Sequence, residues 1–166
     1  MSLNSKIEEA LNQQIQNEFY SSYVYLSMSG YSDSQNLPGF AAWMRAQSEE
    51  ERGHAMRLFD YVQNRGGRVR LGSIAQPQLD FESPRVMFEE ALRQEQSVTR
   101  TIHELYRLAQ DEKDYPTEVE LQWFVQEQVE EEKTILDILA QLSMIGDHPA
   151  ALVMLDHRLG GRTDEA

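Results

Sequence analysis

The sequence contains no cysteine. That absence excludes a disulfide framework, a thiolate nucleophile, Cys-ligated zinc and iron–sulfur clusters. Basic residues are scarce: 15 Lys and Arg stand against 28 Asp and Glu, for a formal charge of −13. A chain so acidic is not built to bind a nucleic-acid backbone, which needs clustered Lys and Arg, whereas cations suit it as ligands. Long apolar runs are missing too. The longest, Ala150 to Leu155, falls far short of the ~20 residues of a membrane span. The opening Met1-Ser2-Leu3-Asn4-Ser5-Lys6 has no apolar leader, so a cytoplasmic location with no membrane partner is expected. What is present is globular: 40% hydrophobic and 26% charged residues over 166 positions. That suits one domain, residues 1–166, with a sizeable core.

Punctuation divides the chain into helical segments. Asn4 and Ser5 offer N-caps, and Ser5-x-x-Glu8 reads as a capping box. Asn36-Leu37-Pro38-Gly39, Gly66-Gly67, Asp111 to Pro116 and Gly146-Asp147-His148-Pro149 interrupt the pattern. Ser83-Pro84 reads as a cap followed by a first-turn proline. Between the breaks, apolar residues recur in alternating steps of three and four. Leu11, Ile15, Glu18, Ser22 and Tyr25 mark the first helix, and Phe40, Met44, Gln47, Glu51, His54, Leu58 and Val62 the second. Phe88, Ala91, Glu95, Val98, Ile102, Leu105 and Ala109 mark the third, and Leu121, Phe124, Gln128, Glu131, Ile135, Ile138, Leu142 and Ile145 the fourth. Each stripe is one buried helix face. Short links make the first two helices antiparallel neighbours, and likewise the last two. The stretch from Gly67 to Ser83 can extend to about 55 Å, enough to run the length of a bundle. The expected fold is all-α: a four-helix bundle with one long crossover between the second and third helices and a short fifth helix at Ala150–Leu159. Residues 160–166 read as a frayed tail.

Every stripe carries a carboxylate near its middle: Glu18, Glu51 with His54, Glu95, and Glu131 with Gln128. Burying an unpaired carboxylate costs several kcal/mol. Four facing one another repel unless some keep their protons. Two divalent ions carry +4 and four ionised glutamates −4, so a pair of ions removes the difficulty without Lys or Arg. In Glu51-x-x-His54 the two side chains lie one turn apart and can reach one ion, and Gln128-x-x-Glu131 repeats the spacing. Oxygen ligands with one imidazole suit iron or manganese better than structural zinc. A lone Glu-x-x-His is weak, and a single Glu in a stripe often marks only an edge; the weight lies in all four helices doing the same. The triplets Glu49-Glu50-Glu51 and Glu130-Glu131-Glu132 turn through about 200° and cannot share one face. Glu51 and Glu131 are the inward members. Glu50, Glu127 and Glu130 lie beside the site, as a looser cation position or as solvated surface. Tyr25 reads as a core tyrosine with a bonded hydroxyl, and a redox role is the minority reading. Trp123 reads as packing, and Met28, Met44, Met56, Met87 and Met154 as core or interface filler. His103, His148 and His157 read as surface residues.

Four stretches together resemble the bacterial non-haem ferritins, members of the ferritin-like di-iron family. They are Asn17-Glu18-Phe19-Tyr20-Ser21-Ser22-Tyr23-Val24-Tyr25; Glu49-Glu50-Glu51-Arg52-Gly53-His54 with Arg57-Leu58-Phe59-Asp60-Tyr61; Glu95 at mid-helix; and Gln122 to Lys133 around Trp123, Glu127, Gln128, Glu130 and Glu131. The resemblance spans roughly Ile7 to Leu159. It implies a single ferritin-like domain and a ferroxidase centre. Glu18 and His54 would hold the first iron, Glu51 would bridge, Glu95 and Glu131 would hold the second, and Gln128 would lie nearby. Glu50, Glu127 and Glu130 with Glu131 would form a third iron position, and Tyr25 matches the family's tyrosine beside the centre. The resemblance implies storage of ferric mineral in a hollow homo-oligomer of 24 subunits, with Fe(II) and dioxygen or hydrogen peroxide as reactants. Haem is not implied: Arg52 stands where bacterioferritin has its haem-ligating methionine. Gln128-x-x-Glu131 replaces the second Glu-x-x-His of bacterioferritin and rubrerythrin. The crossover lacks the helix expected of the small DNA-protecting ferritins. At the expected threefold pore Glu118 is the acidic candidate, and Leu121 occupies a place often acidic in animal ferritins. Two other readings stand beside storage: a non-storing di-iron peroxidase or oxidase, and a non-catalytic helical module with a solvated acidic centre.

Overall fold

The computed structural model describes residues 2–162. Five helices follow in order: α1 Ser5–Ser34, α2 Pro38–Asn64, α3 Pro84–Asp111, α4 Tyr115–Ile145 and α5 Pro149–Gly160. No strand occurs among the described residues. The ends follow from local chemistry. Asn4 caps α1, its side chain accepting from Lys6 N at 2.8 Å. Ser5 is therefore the first helical residue, and the expected Ser5–Glu8 capping box does not form, because Asn4 takes the cap one residue earlier. Ser83 caps α3 through Val86 N and Asp114 caps α4 through Thr117 N. The tight links of both hairpins turn through residues with positive φ, Asn36 (59°) and Lys113 (55°).

α1 packs along α2 and α3 along α4, and α1 also meets α3, which closes the bundle. Residues 65–83 form the long crossover and contain no helix. α1 holds that strap by its backbone. Asn12 donates to Arg68 O (2.9 Å) and accepts from Arg70 N (2.6 Å). Gln16 donates to Ser73 O, Ser27 to Gln78 O and the Tyr31 hydroxyl to Phe81 O.

The interior is two apolar clusters with a polar layer between them. One cluster includes Ile7, Leu11, Ile15, Leu58, Val62, Ile102 and Phe124; the other includes Met28, Phe40, Met44, Met87, Phe88, Ile135 and Leu155. The predicted stripes occupy this interior with two departures. In α1, Ser21 is fully buried and accepts from Gln94 of α3, while Ser22 sits half-buried against Ser48 of α2. In α4, Ile145 reaches the bundle end and is only partly covered. Met154 is 74% exposed and is not core. His103, His148 and His157 lie at the surface.

Where α2 stops and α4 starts, a half-buried polar group sits apart from the middle layer. The Arg65 guanidinium donates to both oxygens of Asp114 at 2.9 and 3.0 Å and to the Tyr61 hydroxyl at 2.6 Å. Tyr61 in turn meets Thr117 Oγ1 at 2.8 Å.

The predicted frayed tail is in part docked. Gly160 ends α5, and Arg162 bonds to α2. Residues 163–166 lie outside the described residues.

Candidate metal centre

At mid-height each helix sends polar side chains into the core. Glu18, Glu51 and Glu95 are fully buried, and His54 and Glu131 are 6% exposed. Three groups of ligand atoms draw together, each within 4.8 Å: Glu18, Glu51 and His54; Glu51, Glu95 and Glu131; and His54, Glu127 and Glu131. Glu51 belongs to the first two, so one carboxylate faces two positions.

The atoms that converge are the ones left without partners. Glu18 Oε2, Glu51 Oε2 and His54 Nδ1 are buried and accept or donate no hydrogen bond. His54 Nδ1 lies 3.3 Å from Glu51 Oε2 and 4.0 Å from Glu18 Oε2. A buried acceptor with no donor costs about 1–3 kcal/mol, and three aimed at one point call for a shared electrophile.

The remaining oxygens are held in place. Gln14 donates to Glu18 Oε1 at 3.2 Å. Gln47 donates to Glu131 Oε2 at 2.6 Å and Glu51 Oε1 at 3.2 Å. The Tyr25 hydroxyl donates to Glu95 Oε1 at 2.6 Å. Gln128 donates to Glu95 Oε2 at 3.1 Å, to its carbonyl and to Thr99. Sequence reasoning did not assign Gln14 and Gln47 a role at the site. Their signal was available: each precedes a site glutamate by four residues and shares its helix face.

No Lys or Arg is hydrogen-bonded to Glu18, Glu51, Glu95 or Glu131 among the described residues, and burial sets their protonation. Desolvation raises Glu18 to about 7 and Glu131 to about 9, against an ordinary 4.5. It raises Glu51 well above that value and raises Glu95 as well, with the neighbouring carboxylates adding repulsion at Glu51. Desolvation, with Arg57 nearby, lowers His54 from 6.5 to about 4, so its imidazole is neutral at pH 7 and has a lone pair to give. Burial, with repulsion from the carboxylates, pushes the Tyr25 phenol well up, so it stays protonated as a donor. Burial thus favours protonated carboxyls and a neutral imidazole in this layer. The same oxygens and imidazole nitrogen could hold a multivalent ion in place of those protons.

The further acidic residues divide. Glu127 is half-buried and its Oε1 lies 3.9 Å from His54 Nε2. Glu50 and Glu130 join none of the three groups. Glu50 is bonded to Arg162 at 2.7 Å and Glu130 is exposed. Trp123 stands edge-on to His54, with ring centres 5.3 Å apart, and carries Arg57 over its face at 4.2 Å. It thus walls the imidazole besides packing.

A ferritin-like domain profile matches residues 8–145. The chain belongs to the ferritin family. A bacterial non-heme ferritin of Staphylococcus aureus (strain USA300) is 37% identical over 161 residues, 97% of either chain. A bacterial non-heme ferritin of Staphylococcus haemolyticus matches equally well, at 37% over 161 residues and 97% of each chain. Among solved structures, an open pore ferritin from the hyperthermophilic archaeon Archaeoglobus fulgidus superposes with a TM-score of 0.96. It is 49% identical, covering 98% of this chain and 100% of that one. Ferritin membership agrees with the four-helix bundle, the long crossover and the short α5.

Proposed function

We propose that the protein stores and detoxifies iron, oxidising Fe(II) at the central carboxylate layer and depositing ferric mineral inside a hollow homo-oligomer, of 24 subunits as in the family it resembles. The observation that carries this reading is the convergence of three unpartnered buried atoms, on Glu18, Glu51 and His54, beside a second group that shares Glu51. Fe(II) is the substrate. Glu18 and His54 hold one ion, Glu95 and Glu131 the other, and Glu51 spans both. Glu127 offers a further contact at the rim. Tyr25 and Gln128 hold Glu95 by donating to it.

Entry of two Fe(II) ions expels the protons that burial keeps on the carboxyls. Each ion then gives one electron. Dioxygen takes two electrons and two protons and leaves as hydrogen peroxide, or hydrogen peroxide takes two of each and leaves as two waters. The ionised carboxylates stabilise the rise from +2 to +3. The acidity of the chain suits passage of cations to a mineral surface. No helix among the described residues is long and apolar enough to cross a membrane. A cytoplasmic protein with no haem and no nucleic-acid partner is the reading the sequence supports.

The test is stopped-flow oxidation of Fe(II) by the assembled protein and its Glu18→Ala, Glu51→Ala and His54→Ala variants. Loss of the rapid phase in all three is expected, and unchanged rapid kinetics in all three refutes the site. Particle mass before and after iron loading separates storage from a non-storing di-iron oxidase, which would remain a small oligomer holding a few ions per chain.

A further inference from the structure

The end of α5 is clamped to the start of α2. The Asp156 carboxylate accepts from Gly39 N at 3.1 Å and Phe40 N at 2.8 Å, capping a helix whose own N-cap, Leu37, has no side-chain acceptor. The approach is so close that a Cβ on Gly39 would fall 1.7 Å from the Asp156 carbonyl oxygen. This contact aims Arg162 along one stripe of α2, at Trp43, Gln47 and Glu50. Its Nη1 donates to Trp43 O (3.3 Å) and to Gln47 Oε1 (3.2 Å), and its Nη2 donates to Glu50 Oε1 (2.7 Å). The guanidinium carbon lies 4.9 Å from the centre of the Trp43 ring. An acidic residue next to a metal layer is thus held by a cation of the protein itself.

Glu50 remains within the field of the rim. It stands one turn before His54 on α2, and His54 belongs to the His54–Glu127–Glu131 group. It nevertheless joins no group of converging ligand atoms. We propose that Arg162 is a tethered cation that parks Glu50 away from the rim, and that a divalent ion arriving among His54, Glu127 and Glu131 competes with Arg162 for this carboxylate. Arg162 therefore sets the affinity of the outermost ion. It is a positioning residue, acting through Glu50. The inference rests on the proposed function in taking the central layer to bind metal.

Zn(II) added to the assembled, metal-free protein in a calorimeter separates the binding classes without any oxidation chemistry. Loss of a part-exposed ion pair frees Glu50, so R162Q tightens the weakest class by about threefold or more. R162K, which keeps the charge, behaves as the parent. E50Q loosens the weakest class, and adding R162Q to E50Q changes nothing further. An unchanged weakest class in R162Q or in E50Q overturns the proposal, as does equal tightening by R162Q with and without Glu50. If the parent protein binds no Zn(II), the metal-centre reading itself fails; if it binds and only these variants disobey, the role of Arg162 alone fails.

Discussion

Two polar clusters, one half-buried and one buried, lie in the same bundle and are completed in opposite ways. At one end, Arg65 meets Asp114 through two parallel hydrogen bonds, and Tyr61 and Thr117 take up further polar atoms. The protein supplies both charges there. At mid-height, four glutamates beside a histidine share donors from Gln14, Gln47, Tyr25 and Gln128 but, among the described residues, receive no hydrogen bond from Lys or Arg, and three atoms are left over. Polar groups taken out of water need partners. The first meets that need from within and serves stability. The second leaves it unmet at three atoms, which is how the proposed binding layer differs from a structural one.

The sharpest way to break this contrast is to give the middle layer its own cation. Gln128→Lys places an ammonium beside Glu95, and Zn(II) affinity should fall by about 100-fold. The uncharged control Gln128→Met should lose much less. Calorimetric titration reads both, and equal loss in the two variants would show that charge is not the issue.

The converse change empties the end cluster. Asp114→Ala leaves Arg65 without its carboxylate and α4 without its cap, and should cost about 2–3 kcal/mol in urea unfolding. Its Zn(II) stoichiometry should match the parent.

The pH dependence separates the clusters without mutation. Glu18 and Glu131 have folded-state values of about 7 and 9, above the ordinary 4.5. Their contribution to stability is complete below pH 4.5 and is lost as pH rises through 7 and 9. His54, lowered from 6.5 to about 4, acts in the other direction, but only between those two values. Above pH 6.5 only the carboxyl effect remains, so the midpoint temperature of the metal-free protein should fall between pH 6.5 and 9. Saturating Zn(II) should abolish that fall, because the ion takes the place of the protons. A flat metal-free profile in calorimetry would show that the layer is not held protonated.

The smallest effect is expected at Tyr25. Tyr25→Phe removes one donor from Glu95 and should cost about 1 kcal/mol in unfolding, with the number of bound ions unchanged.

Much of this was legible in the residues. The middle glutamates could be placed because each stands in an otherwise apolar stripe, where register leaves only one direction to point. The crossover could be placed because its length exceeds any hairpin. The Arg65–Asp114 pair was not legible, since its partners come from links whose path periodicity does not specify. Arg162 was hidden for a related reason. A glycine-flanked arginine at the end of a chain carries no periodic signal, and its aim is set by the Asp156 clamp and the missing side chain of Gly39. Glu50 shows the limit within a helix: its angle around α2 was readable, but the partner it chose was not.

The crossover has one more consequence. α1 grips it at Arg68 O, Arg70 N, Ser73 O, Gln78 O and Phe81 O. All of these are atoms that nearly any residue would supply. Its route is therefore indifferent to most of the letters written along it, and Leu71, Ile74 and Leu79, which point outward, can be rewritten to suit a new neighbour while the path itself stays put.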